Sequence, residues 1–438
     1  MAGATGCYAW PARHQPTSPT TNMNLKILHF TPYFNGESPL SLHLNLMLTQ
    51  MGKEASVSLV TLNNATSSHD TYQHLSIGSG KKDYGRKGLV NLLALQKRYL
   101  HILYGIMPDI VHIHGSYNYF ASRIELWSRK RGFPVVFSSY GGMNPEYIDA
   151  EYGTRTWKMI CYQKKMVRGA DAMLLSDTKE GEYLVGQKLT DRVSLVSDPR
   201  TDEYTDYEEM AKDTLALYHK VMDSDMGTKL DRNSREAISA LLHLCLAGNN
   251  ERQPLCAEDI LNLRSLPPRK WRNLLLYADE QGVASLVYEG IERAQLKVPA
   301  VELASVSRFM PRHAKSVSPL PSNSLLSGKR MEKIFARKTK DSGEVEKSIC
   351  YMLQDIKYHL SHDSLTLRHL CDLYAVYRHD AIDEVLLNAL LIQLRLHTFA
   401  RRISQVMRET VYLSDGFMPV PSLNDHGTEK IRQSLVKY

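Results

Sequence analysis

Cysteine is scarce in this chain, with six residues among 438, and none of them forms a CxxC pair. That spacing excludes a disulfide framework and a cysteine-based zinc site, and it fits a reducing cytoplasm. Long apolar runs are also lacking, which excludes a transmembrane helix. The segment before Met23 has Pro, Ser and Thr but no apolar core of a signal peptide, so residues 1–23 are predicted to be a disordered leader. Met23 itself is an alternative start.

Basic charge is concentrated in one segment. The whole chain has a formal net charge of +7, and residues 311–347 are rich in Ser, Pro, Lys and Arg. A basic segment can contact nucleic acid or an anionic membrane face. Only Phe335 is available there to stack on a base, whereas nucleic-acid grooves usually need several aromatics. We therefore predict a solvated linker and no nucleic-acid partner, with peripheral membrane contact as an alternative.

Short apolar runs alternate with amphipathic stretches between residues 24 and 199. The strand-like runs are LKILHF, SVSLVTL, DIVHIHG, PVVFSSYGG, DAMLLSD and RVSLVSDP, and helix-like segments separate them. This alternation predicts an α/β fold, a doubly wound parallel (Rossmann-like) sheet of about six strands with helices on both faces. Ligands in such sheets bind at the carboxyl ends of the strands.

The pattern becomes helical after residue 199. A long helix over 206–225 is followed by segments with helical periodicity up to the C-terminus. The predicted organisation is a sheet domain at 24–199, a connecting helix within 200–230, and a mainly helical domain at 231–438. The basic linker at 311–347 divides this last domain.

Candidate substrate contacts lie where the predicted strands end. Glycine at such turns lets the backbone approach a ligand closely, and the helix that follows favours an anion. We predict substrate-binding roles for Gly36, Glu37, His114, Gly115, Tyr140, Gly141, Gly142, Asp177 and Glu180. His112 and His114 lie on one side of their strand, because side chains alternate with period two. A metal pair and a structural pair are both open, and we favour the structural pair, so neither a metal nor a cofactor is predicted.

Three linked segments resemble glycosyltransferase family 4. They are PDIVHIHG, FPVVFSSYGGMNP and GADAMLLSDTKEGEYL, each placed as the family places its corresponding motif. The resemblance implies the two-domain GT-B fold, in which the first domain binds the acceptor and the second binds the nucleotide sugar. It also implies a role in bacterial polysaccharide or lipopolysaccharide assembly at the inner face of the cytoplasmic membrane. The partners would then be a nucleotide sugar and a glycan or glycolipid acceptor.

This chain departs from the family in two places of the first domain. After the first strand, NGESP keeps only Gly36 of the family's glycine pair. Gly141 stands where the family has a histidine, although a slip of one residue would place Tyr140 there. These departures affect the strand-end residues that would bind the acceptor. No catalytic residue is assigned.

The family's second domain has no counterpart in the sequence. No strand–Gly-loop–helix unit follows residue 199, so we expect a family 4-like transferase that is inactive unless a partner chain supplies the donor site. The alternative is a non-catalytic binding or scaffold protein. A second parallel sheet would favour the enzyme, whereas an all-helical half would favour a half-enzyme or a scaffold.

The helical half has a resemblance of its own. RKWRNLLLYADEQGVASLVYEGIERA and LTLRHLCDLYAVYRH look like the helical flanks of an uncharacterised bacterial nucleotidyltransferase-like family. In that family a core with paired carboxylates lies between the flanks. The linker here has no Asp-x-Asp pair, so this half is expected to lack that chemistry.

Overall fold

The computed structural model of the chain describes residues 25–63, 70–78, 88–150, 157–200, 202, 204–247, 255–310, 327–338 and 343–436. The predicted leader, and residues 311–326 and 339–342 of the predicted linker, lie outside these ranges. Seven parallel strands form one sheet: β1 Lys26–Thr31, β2 Ser56–Thr61, β3 Tyr72–Ser76, β4 Ile110–His114, β5 Val135–Ser138, β6 Ala172–Leu175 and β7 Val193–Leu195.

The strand order is β3-β2-β1-β4-β5-β6-β7, so the chain winds outward in both directions from the β1/β4 pair. This order confirms the predicted doubly wound sheet. The sheet has one strand more than the six predicted, because β3 is a short, largely polar edge strand without an apolar run. The crevice between β1 and β4, where the order reverses, is the position at which such sheets bind ligands.

Helices cover both faces of the sheet. α1 and α7 pack on one face, and α2, α3 and α5 pack on the other. The helices of this part are α1 Pro39–Met51, α2 Gly88–Ile106, α3 Tyr119–Arg129, α4 Pro145–Ala150, α5 Lys164–Gly169 (after a π-helical turn at Met159–Gln163), α6 Thr178–Gly186 and α7 Tyr207–Met222. α7 is the predicted connecting helix, and it returns across the sheet to pack against α1.

The described residues after 222 are helical and contain no strand. They enclose a hydrophobic core of their own. These helices are α8 Met226–Lys229, α9 Arg232–Leu246, α10 Ala257–Ser265, α11 Pro268–Glu280, α12 Ala284–Arg293, α13 Ser327–Lys338, α14 Glu344–Ser361, α15 Leu367–His379, α16 Glu384–Leu394, α17 His397–Thr410 and α18 His426–Val436, with short 3-10 turns at Leu303–Ser305 and Asp415–Phe417.

One of these helices, α13, lies inside the segment predicted to be a solvated linker. Met331 and Phe335 lie one turn apart on α13, and both side chains are buried. Burial of these two apolar groups gives α13 a core-facing side, which the basic composition of the segment obscures.

Ion pairs join the helical part to the amino-terminal edge of the sheet. Arg269 reaches Asp109, directly before β4, at 2.7 Å. Arg192, directly before β7, makes a bidentate pair with Asp225 at 2.6 and 2.9 Å. These contacts lie at the edge opposite the carboxyl ends of the strands. No helix within the described ranges is long and apolar enough to cross a lipid bilayer.

Candidate functional site

Three histidines lie side by side in the β1/β4 crevice. His29 of β1 is in register with His112 of β4, and His114 follows two residues later on the same side of the strand. Because side chains alternate along a strand, all three project toward α7 rather than toward α2. All three are fully buried. The sequence places them there because each occupies a position on the α7 side of a strand in which most other residues are apolar.

Two hydroxyl groups hold His112. The Tyr218 hydroxyl of α7 lies 2.5 Å from Nδ1, and the Ser138 hydroxyl of β5 lies 2.8 Å from Nε2. A neutral imidazole has one donor and one acceptor nitrogen, and each hydroxyl can take the complementary role. Burial is the main reason why the pKa of His112 lies well below its usual value, and the proximity of His29 lowers this pKa further. His112 is therefore a neutral link between the sheet and α7.

A second chain of hydrogen bonds leads from the crevice to the rim. His29 Nδ1 lies 2.8 Å from His114 Nε2, and His114 Nδ1 lies 2.7 Å from the Tyr140 hydroxyl. Burial lowers the pKa of His29 to about 3, and burial with the neighbouring histidines holds the pKa of His114 well below its usual value. Both rings are neutral near pH 7. The chain ends at Tyr140, which is only half-buried.

An arginine and a histidine contact the Tyr140 ring at the rim. The Arg200 guanidinium lies 5.3 Å from the ring centroid, and the centroid of the His43 ring lies 5.6 Å from it with the two ring planes nearly perpendicular. Burial, followed by the nearby Arg200 charge, lowers the pKa of His43 to about 4, so this ring is neutral near pH 7. Asp198 binds Arg200 at 2.5 Å, and 34% of the Arg200 side chain is exposed. Burial alone would raise the pKa of Asp198, but the hydrogen bonds from Arg200 outweigh it and the pKa is lowered. Arg200 is thus a fixed cation at the carboxyl ends of the strands.

The histidine cluster is better explained by hydrogen bonds than by a metal ion. The facing nitrogens of His29 and His114 are 2.8 Å apart. Two ligands of a tetrahedral metal with bonds of about 2.0–2.1 Å lie roughly 3.4 Å apart. Both nitrogens of His112 already have hydroxyl partners. These three residues could hold a metal only if the rings separated.

The turn after β5 brings several predicted residues together. Tyr140 and Gly141 both have positive φ, of 51° and 76°. The buried Glu180 carboxylate accepts from the backbone N–H groups of Gly141 at 3.2 Å and Met143 at 2.7 Å. Burial raises the pKa of Glu180, and these hydrogen bonds oppose that rise. In this structure Glu180 shapes the turn that presents Tyr140.

Asp177 and Gly142 support the same turn. Asp177 caps α6 by accepting from Lys179 N and also accepts from the Asn144 amide at 2.6 Å. A Cβ on Gly142 would meet the Ser116 hydroxyl oxygen at 2.5 Å, so the loops after β4 and β5 approach each other closely here. The segments predicted to form one rim therefore do meet.

The other predicted residues lie further out on the same edge. Gly115, at the end of β4, has φ of 93°, and Gly36, after β1, has φ of 74°. Glu37 is exposed beside the N-terminus of α1. Positive φ explains both glycines, since other residues rarely adopt it. Substrate contact by any of these residues stays a prediction.

Several residues of the crevice and its rim were not predicted from the sequence. The Tyr207 hydroxyl, for example, lies 3.3 Å from His43 Nδ1. The residues are His29, His43, Asp198, Arg200, Tyr207 and Tyr218. Asp198 and Arg200 follow the last strand directly, so the strand-end rule would have found them if applied to β7. Tyr218 had no such signal, because only the packing of α7 brings it to β4.

Comparison with known proteins gives the chain no close relative. No protein-family model matches it, and no curated protein is similar enough in sequence to count as a match. Among solved structures, the UDP-N-acetylglucosamine 2-epimerase from Rickettsia bellii is 14% identical with a TM-score of 0.31, over 56% of this chain and 66% of that chain. The UDP-GlcNAc 2-epimerase from Methanocaldococcus jannaschii is 11% identical with a TM-score of 0.28, over 62% of this chain and 92% of that chain. The chain spans 66% of the first of these proteins, just under two thirds of its length. Similarity this low supports no conclusion about ligand or activity, and the sheet topology itself defines the fold.

Proposed function

We propose that the rim formed by Tyr140 and Arg200 binds the acceptor of a sugar-transfer reaction, in polysaccharide or lipopolysaccharide assembly. The resemblance of the strand-end segments to family 4 glycosyltransferases motivates the proposal. The observation that carries it is the hydrogen-bond chain from His29 through His114 to Tyr140, in the crevice where the strand order reverses.

The groups at this rim suit a saccharide with an anionic substituent. Tyr140 offers a hydroxyl and an aromatic face, while Arg200 offers a cation that Asp198 holds in place. A guanidinium binds phosphate and carboxylate groups through paired N–H donors. An acceptor carrying a phosphate or a carboxylate would therefore gain more from this rim than a neutral sugar.

His114 serves as a positioning residue in this proposal. A general base must hold a proton in the transition state, and the ideal pKa for that task is near the working pH. Burial holds the pKa of His114 far below that range, so a proton on its ring would be an uncompensated buried cation. What His114 can do is fix the direction of the Tyr140 hydroxyl through their 2.7 Å hydrogen bond.

The donor side of the reaction would have to come from a second chain. A leaving diphosphate needs a glycine-rich loop, a helix N-terminus or basic side chains opposite the acceptor. The described residues after 222 are helical, and their ion pairs to the sheet part are at its amino-terminal edge. This arrangement also favours the alternative of a non-catalytic binding or scaffold protein, which would bind a saccharide without transferring it.

A calorimetric titration of the purified protein with D-glucose 6-phosphate, D-glucuronate and D-glucose tests the proposal. The two anionic sugars are expected to bind more tightly than glucose. Arg200→Gln should weaken their binding by at least about tenfold, since a hydrogen bond to a charged group contributes about 1.5–3 kcal/mol.

The matched control is Arg232→Gln, which removes an arginine whose side chain is 89% exposed at the start of α9. This variant should bind as the wild type does. Equal affinity for all three sugars, or equal loss in both variants, would remove the rim from consideration as an acceptor site.

A further inference from the structure

A second cluster of imidazole and carboxylate groups lies in the helical part, where α14 ends and α15 begins. Asp355 and His359 lie one turn apart on α14, and His369 comes from the first turn of α15. One ligand atom from each of the three residues lies within 4.8 Å of the other two. The cluster is separate from the strand-end histidines and has no part in the function proposed above.

The spacing of these groups fits coordination better than a direct hydrogen bond. Asp355 Oδ1 lies 3.6 Å from His359 Nε2, which is too long for a good hydrogen bond. Ligands of a tetrahedral zinc ion at about 2.0–2.2 Å are roughly 3.4 Å apart. The rings of His359 and His369 have centroids 4.5 Å apart and are tilted by 44°, so they converge without stacking flat.

Hydroxyl groups orient both imidazoles through their other nitrogens. His359 Nδ1 lies 2.8 Å from the Ser364 hydroxyl, and His369 Nδ1 lies 2.9 Å from the Thr366 hydroxyl. When His359 Nδ1 donates to the Ser364 hydroxyl oxygen, its Nε2 presents a lone pair, which is the arrangement that fixes the tautomer of metal-binding histidines. His369 Nδ1 also accepts from the Thr366 backbone N–H at 3.2 Å, so metal binding at His369 Nε2 requires Nδ1 to take the proton and donate to the Thr366 hydroxyl in place of that backbone hydrogen bond. Both hydroxyls belong to the short loop that joins α14 to α15.

We propose that Asp355, His359 and His369 bind one divalent transition-metal ion of the zinc type. Two imidazoles and one carboxylate are a ligand set that such ions accept. The last turn of α14 adds partial negative charge from its carbonyl groups. His359 is buried while 32% of the Asp355 side chain is exposed, so the ion can enter from solvent and keep a water ligand. The bound ion would fasten the end of α14 to the start of α15.

Equilibrium dialysis of the untagged, full-length protein against Co²⁺ and Zn²⁺ tests this site. The wild type should bind one Co²⁺ per chain, with visible absorption typical of low coordination number, and Zn²⁺ should displace it. Asp355→Asn and His369→Gln should each weaken binding at least about tenfold, the range in which even outer-shell changes act. Circular dichroism of each variant shows whether the helices are intact.

His379→Gln is the matched control, because His379 is exposed at the far end of α15. It should bind Co²⁺ as the wild type does. A wild type that binds no metal would overturn the proposal, as would Asp355→Asn and His369→Gln variants that bind normally. Loss of binding in His114→Ala with normal binding in Asp355→Asn would place the metal at the strand ends and would also overturn it.

Discussion

Replacing Tyr218 by phenylalanine tests whether α7 is tied to the sheet through the buried histidines. The substitution keeps the ring, which is fully buried between α7 and the sheet, and removes only the hydroxyl. That hydroxyl is the partner of His112 Nδ1 at 2.5 Å. Removing it leaves a buried nitrogen without this hydrogen bond, which costs about 1–3 kcal/mol.

Urea unfolding at pH 7.5, followed by tryptophan fluorescence and circular dichroism, measures this cost. The free energy of unfolding of the sheet part should fall by about 1–3 kcal/mol, with an unchanged dependence on urea. Tyr204→Phe is the control, because Tyr204 is 97% exposed, and it should change stability by less than about 0.5 kcal/mol. A Tyr218→Phe variant as stable as the wild type would refute the contribution assigned to this hydrogen bond.

Three further outcomes follow from the same geometry. Because burial lowers the pKa of His29 to about 3, the unfolded chain binds its proton first, so stability should be full above about pH 6.5 and fall below it by up to roughly 1.4 kcal/mol per pH unit from His29 alone. His112 and His114, whose pKa values are also lowered, should add to this loss in the same direction; equal urea midpoints at pH 7.5 and pH 5 would contradict this. Gly142→Ala forces its Cβ against the Ser116 side chain and should cost about 1–3 kcal/mol in thermal denaturation, whereas Gly105→Ala, with open space around it, should not destabilise the protein. Glu180→Gln replaces an acceptor of two backbone N–H groups by a group with one acceptor oxygen, so stability should fall by about 1 kcal/mol in the same assay, and a neutral effect would count against its role in the turn.

The sheet could be predicted from the sequence because its central strands are short apolar runs bounded by helices. β3 was not predicted because a strand at the edge of a sheet can be stable with few buried apolar side chains. Its only large apolar residues are Tyr72 and Leu75, so it has no apolar run. Likewise, α13 was not predicted as a packed helix, because its buried residues Met331 and Phe335 stand among many basic residues. In both cases the decisive contribution is tertiary packing, which local composition does not report.

The rim could be predicted only in part. The strand-end rule located His114 and Tyr140, whose side chains are hydrogen-bonded in the structure. It missed His29, which lies inside β1 rather than at its end, and Tyr218, which comes from another element. A strand pattern gives the face on which a side chain lies but not its partner, because the partner depends on how the strands and helices assemble.

A transfer assay with uridine and guanosine diphosphate sugars tests the central claim most directly. We propose that this chain presents an acceptor rim, and no strand–loop–helix unit that could hold a nucleotide-sugar donor follows residue 222 in the described ranges. We therefore expect the purified protein alone neither to hydrolyse these donors nor to transfer sugar above the level of its Tyr140→Phe variant. Robust turnover by the wild type that disappears in Tyr140→Phe would contradict the account, since one chain would then hold both halves of the site.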